Sequence, residues 1–197
     1  DGALWTQNLE RLPEGVHITL SDISQGMLRD TRRAIGGSDP RFSFKAFDCH
    51  TIPARLGTFD LVIANHVLFY CEDIGKVCQN VQKLLKPGGR FLLVQSFDER
   101  IALSADKLYE RFGRENGAQI LSPYFQQITW KTYEDELIVT DAEPLISYIL
   151  SCHGNQNQYL PDRYKDFRAL VKKKTENGFH ITKDAGVFLC EKVTNLK

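Results

Sequence analysis

Apolar positions along the first half of the chain fall into two periods that take turns. Leu4, Trp5, Leu9 and Leu12 recur at helical spacing, and Pro13 closes that stretch. Gly15 to Leu20 reads as a strand with Ser21-Asp22 at its carboxyl end. Ser24 then caps a helix with Met27, Leu28, Thr31 and Ile35 on its apolar face and Gly36-Gly37 as its stop. Phe42 to Phe47 alternates and predicts a further strand, ending at Asp48. Phe59 to Ala64 is a short apolar run with one charge, as expected of a strand covered on both faces. Asp73 is a good N-cap, and Ile74, Val77, Cys78, Val81, Leu84 and Leu85 form one stripe. Pro87 cannot continue that helix, and Gly88-Gly89 offer the left-handed turn that ends it. Arg90 to Gln95 is the next buried strand. Strand, helix and strand in succession predict right-handed crossovers and a parallel sheet, with ligands at the strands' carboxyl ends.

Beyond residue 97 the pattern loosens. Ser104 can cap a helix carrying Ala105, Leu108, Tyr109 and Phe112, fading at Gly113 and Gly117. Phe125 to Tyr133 and Glu136 to Thr140 read as two strands, with Tyr133 to Glu136 as a solvated turn. Asp141 caps a helix with Leu145, Tyr148, Ile149 and Cys152, and the polar loop 153–158 leads to a helix from Asp162 with Tyr164, Phe167, Leu170 and Val171. A hairpin closes the chain: Phe179 to Thr182, a turn at Lys183–Gly186, then Val187 to Val193. Most Tyr and Phe rings of 97–160 read as core packing.

At 197 residues one domain is expected. A formal net charge of zero and a pI near 7.1 give no global field toward nucleic acid or membrane. Lys172 to Lys174 reads as a solvated helix face. The longest apolar runs are too short to span a bilayer. Five cysteines without a CxxC fit a reducing, cytoplasmic setting. Cys49-His50 and Cys152-His153 hint at a metal, but neighbours on extended backbone point opposite ways, so no metal site is expected.

An acid at the end of a second strand can accept hydrogen bonds from both hydroxyls of a ribose, which makes Asp22 a candidate; a local turn role is the alternative. Phe59 to Tyr70 (FDLVIANHVLFY) followed by Leu84 to Gly89 (LLKPGG, counting Leu85) resembles the Rossmann-like, class I methyltransferases that use S-adenosylmethionine. The resemblance implies an α/β fold: a doubly wound, mostly parallel sheet of the seven-stranded type with an antiparallel edge hairpin. It implies one domain over 1–197, with 97–160 as a cap on the acceptor. Asp1 to Trp5 (DGALW) is similar to the end of the family's glycine loop, so the chain is expected to be shortened at its N-terminus or to start late, with Gly2 the last loop glycine.

Further roles follow from that resemblance. Asp22 takes the ribose, with Ile23 and Met27 among the cofactor contacts. Asp48 receives the adenine amino group, or else only opens its own turn; the Cys49 N–H meets a ring nitrogen. Asn65 and His66 border the methionine end. His66 is either a general base or acceptor-orienting donor, or a histidine held by hydrogen bonds beside the methionine tail; Tyr70 is a second catalytic candidate. No NPPY-like run follows the fourth family strand, and asparagine stands where metal-dependent relatives carry acids. An aromatic-rich cap without a basic groove points to a small, partly apolar acceptor. Two other readings stand beside this one. A cofactor-deficient domain would serve as an interaction module. A nicotinamide-dependent dehydrogenase also ends its second strand in an acid, yet no tyrosine here has lysine four residues on.

Overall fold

A computed structural model describes residues 2–97, 111–151 and 161–192 and divides into two units, Asp1–Gly57 and Thr58–Lys197. The helix expected at Ser104, Cys152-His153 and the loop 153–158 lie outside the described residues.

In the first unit, α1 (Ala3–Thr6) is followed by a 3-10 turn at Leu9–Arg11, β1 (Ile18–Asp22), α2 (Gln25–Ile35) and β2 (Phe42–Ala46). The single helix expected through Leu12 is broken. Asn8 Nδ2 donates to Leu4 O at 2.7 Å, so the side chain takes a carbonyl that a continuing helix would use. The α2 boundaries follow the sequence: Ser24 Oγ accepts from Met27 N, and Gly36 ends the helix at φ 101°. β1 and β2 pair in parallel, Ile18 opposite Phe42 through Asp22 opposite Ala46. Arg41 braces the unit by donating to Leu9 O and Leu12 O while its guanidinium grips Asp39 at 2.7 Å.

The second unit is a four-stranded sheet in the order β3-β4-β6-β5. Its elements are β3 (Phe59–Asn65), a 3-10 turn at Leu68–Tyr70, α3 (Ile74–Leu84), β4 (Leu85–Phe97), α4 (Arg114–Leu121), β5 (Phe125–Val139), α5 (Ala142–Ser151), α6 (Tyr164–Thr175) and β6 (Phe179–Lys192). β3 and β4 are parallel, joined by α3, and β6 runs antiparallel to both β4 and β5. The α/β fold with an antiparallel edge is therefore present. Full cover of β3 is not: Asp60 and Leu61 are exposed.

Several local expectations are corrected. α3 ends at Leu84, before the proline is reached: Leu85 is already extended (ψ 134°) and pairs with Phe59 as the first residue of β4. Residues 86–89 then bulge opposite Asp60 before Arg90 pairs with Leu61. Gly88 turns that bulge at φ 73°; at Gly89 a Cβ would lie 2.9 Å from Lys86 O and 3.2 Å from Phe59 O. Lys86 Nζ reaches Asp60 Oδ2 at 2.8 Å across it. The helix expected to fade at Gly113 and Gly117 instead has α4 starting after Gly113, whose N–H donates to Asn116 Oδ1. Gly117 lies inside α4, where the Phe188 ring occupies its Cβ space at 2.6 Å.

The two strands read either side of Tyr133–Glu136 are one strand, and the closing hairpin is also one strand. Tyr133 pairs with Ala185, Glu134 with Asp184 and Glu136 with Thr182, so neither polar segment turns. Gly186 is extended between β4 and β5, beneath the Trp130 ring. Phe112, Trp130 and Phe188 form one aromatic cluster, and Phe91 packs on Phe125. Val139, Ala142, Leu145, Ile146, Val171 and Ile181 form a second core between α5, α6 and the strand ends. Glu143 clamps α5 to α6 by accepting from Arg168 and Lys172. Tyr148 and Leu170, read as apolar-face positions, are exposed.

Candidate functional site

In the first unit, two acids stand at the carboxyl ends of neighbouring parallel strands. Asp22 closes β1, and Phe47 N donates to Asp22 O at 3.3 Å, carrying the pairing one step past β2 toward Asp48. Asp22 Oδ1 accepts the Ser24 N–H at 2.7 Å. Beside it, Ile23 is 74% exposed and Met27 41%, an apolar rim around a carboxylate. That combination suits a ligand with hydroxyls on one edge and a flat apolar face on another. Asp48 Oδ1 accepts the His50 backbone N–H at 2.8 Å and the ring Nδ1 at 2.7 Å. The backbone hydrogen bond first, then that of the ring, hold the Asp48 carboxyl below the usual carboxylate range. Cys49 is half-buried between them. Gly2 has φ 75°, accepts from Trp5 N and Thr6 N, and lies against α2, where a Cβ would come 2.7 Å from Thr31 Cγ2. Only glycine fits there without displacement.

Asn65, His66 and Tyr70 belong to the second unit. Asn65 ends β3 opposite Val94 and is exposed. His66 is left-handed at φ 54°, while its N–H still donates to Val94 O at 3.0 Å. Among the described residues only Gln127, in the β5 bulge, is another non-glycine with positive φ. Histidine tolerates this backbone better than branched residues, yet it stores strain. Buried Leu68 anchors the turn that follows, and Tyr70 is 61% exposed with its ring 4.2 Å from that of Phe69. The partner that sequence reasoning missed is His50. Its signal was the Asp-x-His spacing just after a strand, which lets one carboxylate bind the backbone two residues on.

A family described as a methyltransferase domain matches residues 2–93. The reducing polyketide synthase BOA6 of Botryotinia fuckeliana is 34% identical over 83 residues, which is 40% of this chain and 3% of that protein. The chain thus spans a small part of that curated relative's length. A putative methyltransferase of Bacillus halodurans shares the fold at a TM-score of 0.64 and 14% identity, covering 98% of this chain and 89% of that one. The Haemonchus contortus phosphoethanolamine N-methyltransferase 2, solved with S-adenosyl-L-methionine, is similar at a TM-score of 0.59 and 17% identity, covering 95% of this chain and 45% of that one. Asp22, Asp48, β3 and α3 all lie within the residues 2–93 that match the methyltransferase domain, and the solved neighbours share the fold of the whole described chain.

Proposed function

We propose that this domain transfers a methyl group from S-adenosylmethionine to a small, partly apolar acceptor. The observation that carries the reading is the pair of acids where two adjacent parallel strands end, Asp22 closing β1 and Asp48 two residues past β2, with Ile23 and Met27 exposed beside the first. When bound, the cofactor supplies a methyl on a positively charged sulfur, open to in-line displacement. Asp22 accepts from the ribose hydroxyls, aimed by the Ser24 amide. Asp48 accepts from the adenine amino group, and the Cys49 N–H donates to the ring. Ile23 and Met27 cover the apolar face. Gly2 and Asn65 border the methionine end. His66 takes the acceptor's proton, and Tyr70 lies on the same loop as a lesser candidate. Of residues 97–160, read from the sequence as an acceptor-side cover, 98–110 and 152–160 lie outside the described residues, and Phe125–Val139 is the β5 strand of the sheet.

Similarity to a polyketide synthase and to a phosphoethanolamine N-methyltransferase supports a small acceptor over a nucleic acid. No helix among the described residues is long and apolar enough to cross a membrane. Five cysteines without a CxxC support a reducing, cytoplasmic setting. Calorimetry with S-adenosylhomocysteine tests the reading. Saturable one-to-one binding is expected; no binding at millimolar ligand would favour an interaction module that has lost its cofactor.

A further inference from the structure

Three consecutive residues bring three kinds of donor to one place. Thr51 N donates to Asp48 O at 2.8 Å and His50 N donates to Asp48 Oδ1 at 2.8 Å, so the chain turns directly after β2. On extended backbone Cys49 and His50 would diverge. In this turn Cys49 Sγ comes 3.9 Å from His50 Nδ1, and Asp48 Oδ1 lies 2.7 Å from the same nitrogen. The carboxylate, thiol and imidazole donors all lie within 4.8 Å of one another. Acid and thiol approach the same ring nitrogen. An imidazole relaying a proton between them would use opposite nitrogens, so the arrangement is not that of an activated nucleophile.

We propose that Asp48, Cys49 and His50 form a three-ligand site for a zinc-class divalent cation, with water as the fourth ligand. A mixed oxygen, sulfur and nitrogen set suits zinc, whereas magnesium and calcium take oxygen alone. Tetrahedral zinc would set sulfur and nitrogen roughly 3.6 Å apart, and oxygen and nitrogen roughly 3.4 Å apart. The free turn holds these pairs at 3.9 and 2.7 Å, so modest side-chain rotations reach the bound geometry. On binding, the Cys49 thiol proton leaves to solvent. The His50 Nδ1 proton leaves as well, and Nε2 takes one from water, so the ring stays neutral. Carboxylate and thiolate together balance the dication. Cys71, Cys78 and Cys190 are buried, which leaves Cys49 as the accessible thiol among the described residues. The same Asp48 carboxylate is the one assigned above to the adenine. Resting on that assignment, an ion here and the cofactor exclude each other, and zinc supply would govern access to the cofactor site.

The purified protein is titrated with zinc, and with cobalt(II) as an optical probe. One equivalent of cobalt should bind with a near-ultraviolet thiolate-to-metal absorption, and zinc should protect Cys49 from alkylation as mapped by mass spectrometry. Cys49→Ser should abolish the absorption. Cys49→Ser and His50→Ala should each weaken zinc by about 100-fold or more, because even residues that merely orient a ligand contribute about 10–100-fold. Cys152→Ser should change neither. Absence of the absorption, its survival in Cys49→Ser, its loss in Cys152→Ser, or unchanged zinc affinity in both site variants would overturn the site. Zinc-loaded protein should bind S-adenosylhomocysteine at least tenfold more weakly than metal-free protein. Equal affinity would overturn the competition while leaving the methyltransferase reading intact, since that reading fails only if metal-free protein does not bind the ligand.

Discussion

The Ser24 amide donates to Asp22 Oδ1 at 2.7 Å, so the turn that starts α2 aims this carboxylate before any ligand arrives. Holding a group in its bound orientation lowers the entropy cost of binding. Asp22→Ala should weaken S-adenosylhomocysteine binding by about 1.5–3 kcal/mol, the range for losing charge-assisted hydrogen bonds. Asp22→Asn keeps an acceptor for Ser24 and should fall between the two. Calorimetry with parallel melting curves measures both variants, and equal affinity across all three proteins would remove Asp22 from the cofactor site.

Asp48 makes stability depend on pH in a definite direction. Its carboxyl is held low by the His50 backbone N–H first and the His50 ring second. A depressed folded value means the contribution is complete above the unfolded carboxylate value, about 3.9, and is lost as pH falls through the lower folded value. The melting-temperature gap between the native protein and Asp48→Ala should therefore be steady near neutrality and close in strong acid. A gap of constant size at every pH would deny the two hydrogen bonds any such role.

His66 can be probed without disturbing its backbone. Asparagine accepts the left-handed conformation at φ 54° and cannot act as the base. His66→Asn should keep S-adenosylhomocysteine affinity while turnover falls by about 10²–10⁴-fold, the usual worth of a positioned base. His66→Val should in addition lose about 1–2 kcal/mol of stability, because a branched side chain resists this backbone. Undiminished turnover in the asparagine variant would assign the transfer to alignment alone.

Gly186 gives a test of packing. A Cβ there would lie 2.2 Å from Trp130 Cζ2 and 2.7 Å from Lys131 O. Neither neighbour is the end of a flexible chain. Gly186→Ala should destabilise by about 1–3 kcal/mol in denaturant titrations, as overpacked cores do. A variant as stable as the native protein would mean that the Trp130 ring moves aside freely.

Gly186 also shows where the sequence misleads. Lys183-Asp184-Ala185-Gly186 has the composition of a turn, yet its glycine is there to admit a tryptophan from the next strand. Likewise Glu134 and Glu136 look solvated, and they are exposed, but β6 supplies their backbone partners. Pairings of this kind join residues about fifty positions apart, which local periodicity cannot register. The β1–α2–β2 and β3–α3–β4 units were legible because their caps, stripes and stops lie within a few residues of one another: Ser24 with Met27, Asp73 with Lys76. Of the candidate site, Asp22 and Asp48 could be placed from strand ends alone. The turn at Cys49-His50 could not, because a side-chain-to-backbone bond overrides the extended direction that adjacency suggests.

The position of β6 bears on how the chain acquires its shape. This late strand is interior to its sheet, flanked by segments made long before it: Glu191 pairs with Arg90, about a hundred residues earlier. On the ribosome, β4 and β5 emerge with no strand between them, and the faces of Phe91, Phe125 and Trp130 stay open meanwhile. Closing so long a loop is slow, and exposed strand edges invite wrong pairing until it happens. A nascent chain halted before Phe179 would therefore lack a middle, not an edge, and is a natural client for chaperones.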